Sequence, residues 1–116
     1  DVSKYAINNA KDEIKEYLYI HKAQDKYDYK ENEFDLVISL GTLHNLKVFD
    51  LKKAVQEMQR VAKNQFIMVE SYRNNTELFN LECWALTCES FFTPDEWTWL
   101  YDEWGYNGDY EFIYFE

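Results

Sequence analysis

Glycine and proline are nearly missing from this chain, with three of the first and one of the second in 116 residues. That scarcity excludes a flexible linker, a collagen-like repeat or a low-complexity segment dividing the molecule. Basic residues are also few, 12 Lys and Arg against 22 Asp and Glu, for a net charge of −10. Such a surface repels phosphate backbones and anionic lipid, so nucleic acid and membrane surfaces are not expected partners. No apolar run approaches the roughly 18 residues of a spanning helix, and no signal-peptide pattern is present, so the expected setting is cytoplasmic. Cys83 and Cys88 stand five apart without a second pair or a nearby His, which is not a metal-binding spacing and reads as two small buried or half-buried thiols. What the chain does have is 47% hydrophobic and 19% aromatic residues, enough for one packed domain over 1–116.

The pattern alternates helix and strand. Ser3 is a plausible cap for a helix carrying Ile7, Ala10, Ile14 and Leu18 on one face, followed by a possible short strand at Tyr19-Ile20-His21 and a polar loop from Lys22 to Glu33. Phe34 to Leu40 is a β-branched apolar run that reads as a parallel strand covered on both faces. Asp50 is expected to cap a helix whose apolar stripe is Leu51, Ala54, Val55, Met58, Val61 and Ala62, ending at Asn64. A second buried strand follows over Gln65–Ser71, which makes a strand–helix–strand crossover unit. Asn74 to Thr76 reads as a turn and Leu78 to Cys88 as a helix; Thr93-Pro94-Asp95-Glu96 is a capping box opening another helix that Gly105 stops. Tyr110 to Phe115 alternates as a last strand.

Ligands bind past the carboxyl ends of strands in open α/β sheets, which directs attention to Ser39–His44 and to Glu70. His44 has the position of a general base; it could equally cap backbone groups or pack beside a ligand. Glu70 points to the same place, with a salt bridge to Arg73 as its structural alternative. His21, at a strand end, is ordinary. The aromatic set Trp84, Phe91, Phe92, Trp97, Trp99, Trp104 and Tyr106 is expected to be core, except Trp99, which breaks the helical spacing and belongs at the surface.

Four stretches in register resemble the class I S-adenosylmethionine-dependent methyltransferases of the type 11 kind. They are Asp1-Val2-Ser3 before a helix, Ala23-Gln24-Asp25 in a loop, Phe34-Asp35-Leu36-Val37-Ile38-Ser39, and Thr42-Leu43-His44 beyond it. The resemblance implies a Rossmann-like α/β fold, three-layered with a mostly parallel sheet, and methyl transfer from S-adenosylmethionine to a small-molecule acceptor. It places Asp1 on the ribose hydroxyls, Ala23, Gln24 and Asp25 around the adenine, and Ser39, Leu40, Gly41 and Leu43 beside the methionine part. Lys22 departs from the family, which has an acidic residue there. No Gly-x-Gly-x-Gly run is present, since the glycines are Gly41, Gly105 and Gly108. The family's first two strands have no counterpart here, so the expectation is a truncated domain, the C-terminal part of the catalytic unit. Its Phe34–Leu40 strand then becomes an exposed edge, expected to be covered by a second copy in a homodimer or by a rearrangement of the subdomain. The other reading is a non-catalytic remnant that serves as a self-association module.

Overall fold

A computed structural model describes residues 1–116. Three strands form one sheet in the order β1-β2-β3, namely β1 (Phe34–Leu40), β2 (Ala62–Glu70) and β3 (Asp109–Ile113). Both pairings are parallel, with Ile38 opposite Phe66 and Phe66 opposite Asp109. Between β1 and β2 lies α2 (Val48–Val61), and between β2 and β3 lie α3 (Asn75–Trp84) and α4 (Pro94–Glu103). This is an α/β architecture with a parallel sheet, of the Rossmann-like kind that the resemblance implies. No helix is long and apolar enough to cross a membrane.

The core sits on one face of the sheet. Leu51, Ala54, Val55 and Met58 of α2 and Trp97 and Tyr101 of α4 pack on Ile67 and Val69, with Leu43 and Tyr106 completing the cluster. Ile67 and Val69 are two apart on β2, so they share that face. Leu36, Ile38 and Leu40 alternate onto the other face and remain 57, 56 and 51% exposed. The expectation of a strand covered on both faces is therefore corrected for β1. It is an edge strand, paired on one side to β2 and covered on one face only.

Several boundaries differ from the sequence pattern. The N-terminal periodicity yields only α1 (Lys4–Asn8), capped by the Ser3 hydroxyl, and a separate 3₁₀ segment over Asp12–Tyr17. Neither has a buried residue. An apolar stripe makes a long helix only when it has a surface to bury against, and Asn8-Asn9 adds weak helix formers where the helix stops. Tyr19–His21 is not a strand; its backbone hydrogen-bonds Asp1, with His21 N–H donating to the Asp1 carbonyl at 2.9 Å.

Helix α2 begins at Val48, so Lys47, not Asp50, is the capping position; Asp50 instead pairs with Lys53 at 3.1 Å. Nor does Asn64 end it: Ala62 to Asn64 already pair with Phe34 to Leu36, and the Asn64 amide donates to the Asp35 carbonyl at 2.9 Å. The gain of ladder bonds on β1 draws those three residues out of the helix. Asn74, expected in a turn, caps α3 by accepting from Glu77 N–H at 3.0 Å. The Thr93–Glu96 capping box with Pro94 at the helix start is present as expected, and Gly105 follows the C-cap Trp104 with φ +66°.

The polar loop of 22–33 is tied to α2 by one arginine. The Arg60 guanidinium donates to the Tyr27 and Tyr29 carbonyls at 3.0 and 2.7 Å, and to Glu57, which in turn accepts from Tyr27 N–H at 3.0 Å. The Arg60 hydrogen bond holds the Glu57 carboxyl below its ordinary range. The result positions Ala23 and Tyr27 over the open edge of β1.

Candidate functional site

A cleft of about 200 Å³ opens along the free edge of β1. Ala23 and Tyr27 of the loop form its outer wall, Ser39 and Leu40 of β1 with Thr42 and Leu43 its floor, and Ala54 and Met58 of α2 its back. Four of the residues expected at a donor, Ala23, Ser39, Leu40 and Leu43, thus line one cavity. Gly41, between two of them, adopts φ +57°, the left-handed conformation that an L side chain resists, and turns the chain out of β1.

The remaining expected positions are not gathered there. The Asp1 carboxylate accepts from Ser3 N–H at 2.7 Å and so finishes the first turn of its own helix. Asp25 borders a second, shallower depression with Val2, Ile20, His21 and Lys22. Gln24 lines neither cavity. His21 stacks on Tyr27 with ring centroids 4.4 Å apart, and its Nε2 lies 3.2 Å from the Asp25 carbonyl, so it braces the loop.

Past the ends of β1 and β2, His44 and Glu70 meet. His44 Nδ1 lies against Glu70 Oε2, and both residues are 3% exposed. Glu70 Oε1 lies over Gly41, 3.0 Å from where a Cβ would stand, so the turn Gly41–His44 wraps the carboxylate. The His44 carbonyl accepts from both Glu89 N–H and Ser90 N–H at 3.0 Å, and the Ser90 hydroxyl donates to the Leu46 carbonyl at 2.6 Å. Nearby, burial pushes the Cys88 thiol up, reinforced by the Glu70 and Glu89 carboxylates; Cys83, expected to be at least half-buried, is instead exposed.

The structural alternative for Glu70, a salt bridge to Arg73, is corrected. Arg73 is engaged by Glu77 and by Glu116, at 2.8 Å from the latter, and its guanidinium lies 4.1 Å from the Tyr114 ring centroid. The pair His44–Glu70 was not legible as a pair, because 26 residues separate its members and only the parallel register of β1 on β2 brings them together. The helix expected over Leu78–Cys88 instead runs over Asn75–Trp84, and the chain beyond it leaves the helix and lies against His44 through Glu89 and Ser90.

Of the aromatic set, Trp97 and Tyr106 are buried and Phe91, Phe92 and Trp104 half-buried, while Trp99 is 61% exposed, as its spacing implies. Trp84 departs from the expected core: it lies at the surface, its ring 4.8 Å from that of Phe115.

The family model described as a methyltransferase domain matches residues 1–69, a stretch that takes in α1, the tethered loop, β1, the Gly41–His44 turn, α2 and nearly all of β2. No curated protein and no solved structure matches the chain at a significant level. The family match covers well over half of the 116 residues and contains the whole of the β1 cleft, and on that ground the chain belongs to the methyltransferase domain family.

Proposed function

We propose that this chain carries part of an S-adenosylmethionine-dependent methyltransferase site acting on a small-molecule acceptor in the cytoplasm. The observation that supports the reading most is the β1 cleft, which collects Ala23, Ser39, Leu40 and Leu43 at the carboxyl end of a parallel strand. Its apolar walls suit an aromatic base or a thioether chain. At about 200 Å³ it is smaller than the roughly 300 Å³ from which ligand pockets usually start, so it fits one portion of the donor and leaves the rest in the open. Bound there, the donor would supply an electrophilic methyl group. The residues of this chain would hold it by Leu40–Leu43 below and Ala23 above, with His44 at the same strand end to take a proton.

Titrating the chain with S-adenosylhomocysteine in a calorimeter is expected to give a dissociation constant of about 10 μM to 1 mM, weak because one side of the cleft is open. Ala23→Phe, which fills the cleft, is expected to weaken binding by at least about tenfold. No heat from the wild type at millimolar ligand would overturn the reading.

A second reading, self-association as a homodimer through β1, is favoured by one specific observation. Leu36, Ile38 and Leu40 are more than half exposed on a strand whose outer backbone edge has no neighbour. Two copies related by a two-fold axis would pair these edges. Ile38 and Leu40 also line the cleft, so pairing and donor binding would compete. Sedimentation at about 50 μM is expected to show a dimer that Ile38→Lys converts to monomer, while far-UV circular dichroism stays unchanged, since a surface substitution there alters stability by only about 0.5 kcal/mol. A wild-type monomer throughout would exclude this reading and leave the first untouched.

A further inference from the structure

Residues 22–33 run past the free edge of β1 without regular structure of their own. Every hydrogen bond that joins residues 22–32 to the sheet and helices ends on Glu57 or Arg60. The Arg60 guanidinium serves the Tyr27 and Tyr29 carbonyls and grips both Glu57 carboxylate oxygens at 2.8 Å. Its own backbone carbonyl accepts from Asn32 N–H at 2.9 Å. One residue thus holds both ends of the bend 27–32, where Asn32 adopts φ +54°, a left-handed conformation uncommon outside glycine. The loop's other polar contacts are internal, such as Asp25 N–H to the Lys22 carbonyl and Lys30 N–H to Glu33.

The clasp and the cleft share a helix. Ala54 and Met58 form the back of the cleft, and Glu57 and Arg60 stand beside and one turn beyond them on α2. Because the helix is stiff, the clasp sets the distance from that back wall to Ala23 and Tyr27. Without it, the loop keeps only the edge-on contact of Tyr29 with Phe34, at 4.8 Å between centroids, to hold it to the strand. A planar fork can serve two carbonyls and a carboxylate together, which an ammonium cannot.

We infer that Arg60 is a positioning residue for ligand binding in the β1 cleft: acting through Tyr27 and Ala23, it holds the loop shut as the outer wall and couples closure of the loop to occupancy of the cleft. The inference rests on the methyltransferase reading above for the identity of the ligand. A ligand touching Ala23 and Tyr27 on one side and Leu40 to Leu43 on the other makes both sets of contacts only when the loop is closed. It therefore favours the closed form, and by reciprocity whatever favours the closed form tightens binding.

The test reads the loop and the ligand separately. In the unliganded chain, Arg60→Gln should quicken amide exchange at Tyr27 and Asn32 at least about tenfold and leave Ile67 and Val69 of β2 unchanged, since local opening does not require global unfolding. In the wild type, saturating S-adenosylhomocysteine should slow exchange at the same two amides at least about threefold. Arg60→Gln should weaken S-adenosylhomocysteine binding about tenfold, the loss expected when the closed fraction falls to about a tenth. A merely structural arginine would lower the urea midpoint and leave that affinity alone, which overturns the inference. Wild-type binding without slower exchange at Tyr27 and Asn32 also overturns it, whether or not the variant folds, and so does an unliganded variant whose two amides exchange as in the wild type. Failure of the methyltransferase reading is seen separately, as absent S-adenosylhomocysteine binding in a wild type whose two amides depend on Arg60 as expected.

Discussion

Replacing Trp97 by alanine is expected to destabilise the fold by about 3–5 kcal/mol, the largest effect of any single truncation in this chain. Trp97 is fully buried, packs edge-on against Phe92 at 5.1 Å between centroids and stacks on Tyr101 at 5.8 Å. It stands where α4 meets the sheet face and α2, so no neighbour can collapse into the space it leaves without withdrawing from another contact. Domains of this size have about 5–15 kcal/mol in all, and the urea midpoint should fall by about 1–5 M, given slopes of about 1–3 kcal/mol per M. Trp97→Phe should behave differently. The indole Nε1 is buried without a partner, a condition that costs about 1–3 kcal/mol. Phenylalanine keeps most of the ring and removes that donor, so the net change is expected to stay within about 1.5 kcal/mol. Equal loss in the two variants would mean that removing the indole N–H relieves nothing.

The second large effect is expected at Gly108. A Cβ there would stand 2.6 Å from the Tyr106 hydroxyl, 2.7 Å from its Cζ and 2.8 Å from the Gln65 carbonyl oxygen. Two of those atoms cannot easily give way. The Gln65 carbonyl is backbone of the central strand, and the Tyr106 hydroxyl donates to the Asp109 carbonyl at 2.8 Å. Gly108→Ala should therefore push apart the start of the β2–β3 ladder, at Phe66 opposite Asp109, and cost about 1–3 kcal/mol through overpacking. Amide exchange should quicken first at Tyr110 to Phe112. Gly105→Ala is the natural comparison. Nothing lies within 4 Å of its missing Cβ, and only φ +66° resists the substitution, for about 1 kcal/mol. If the two variants lose the same amount, the close approach at Gly108 is not limiting.

The elements that could be read in advance are those whose signals are short in range. The α2 stripe from Leu51 to Val61 is buried residue for residue, and the Thr93–Glu96 box opens α4 as its spacing requires. Strands β1 and β2 were legible from β-branched runs. What failed were inferences that needed a partner surface. Ile7 and Ile14 have helical spacing, but no sheet face comes near them, and Ile14 stays exposed. The start of β2 was hidden because Ala62 to Asn64 look helical until β1 lies beside them. A local signal was overlooked once, in Asn74 and Glu77, which form a side-chain cap of the same type as the Thr93 box, with Arg73 N–H donating to Glu77.

Of the residues expected at a donor, Ser39, Leu40 and Leu43 fall in one cleft because they are near neighbours along the chain. Ala23 reaches the same cleft only through the Arg60 tether, which joins residues more than thirty apart in sequence. Asp1 was read as a ribose ligand from its place before a helix, and that same place lets its carboxylate turn back on Ser3. Local geometry serves the helix end before it serves any ligand.

The one-sided packing of the sheet has a thermodynamic consequence. Unfolding raises the heat capacity in proportion to the apolar surface newly wetted, about 12–15 cal/mol/K per residue for domains buried in the usual way. Leu36, Ile38 and Leu40 are already wetted in the native state and add little to that change. The stability curve of the isolated chain is therefore shallow, with a low maximum and weak curvature, and a protomer that covers β1 would deepen it by enlarging the heat-capacity increment as well as by binding.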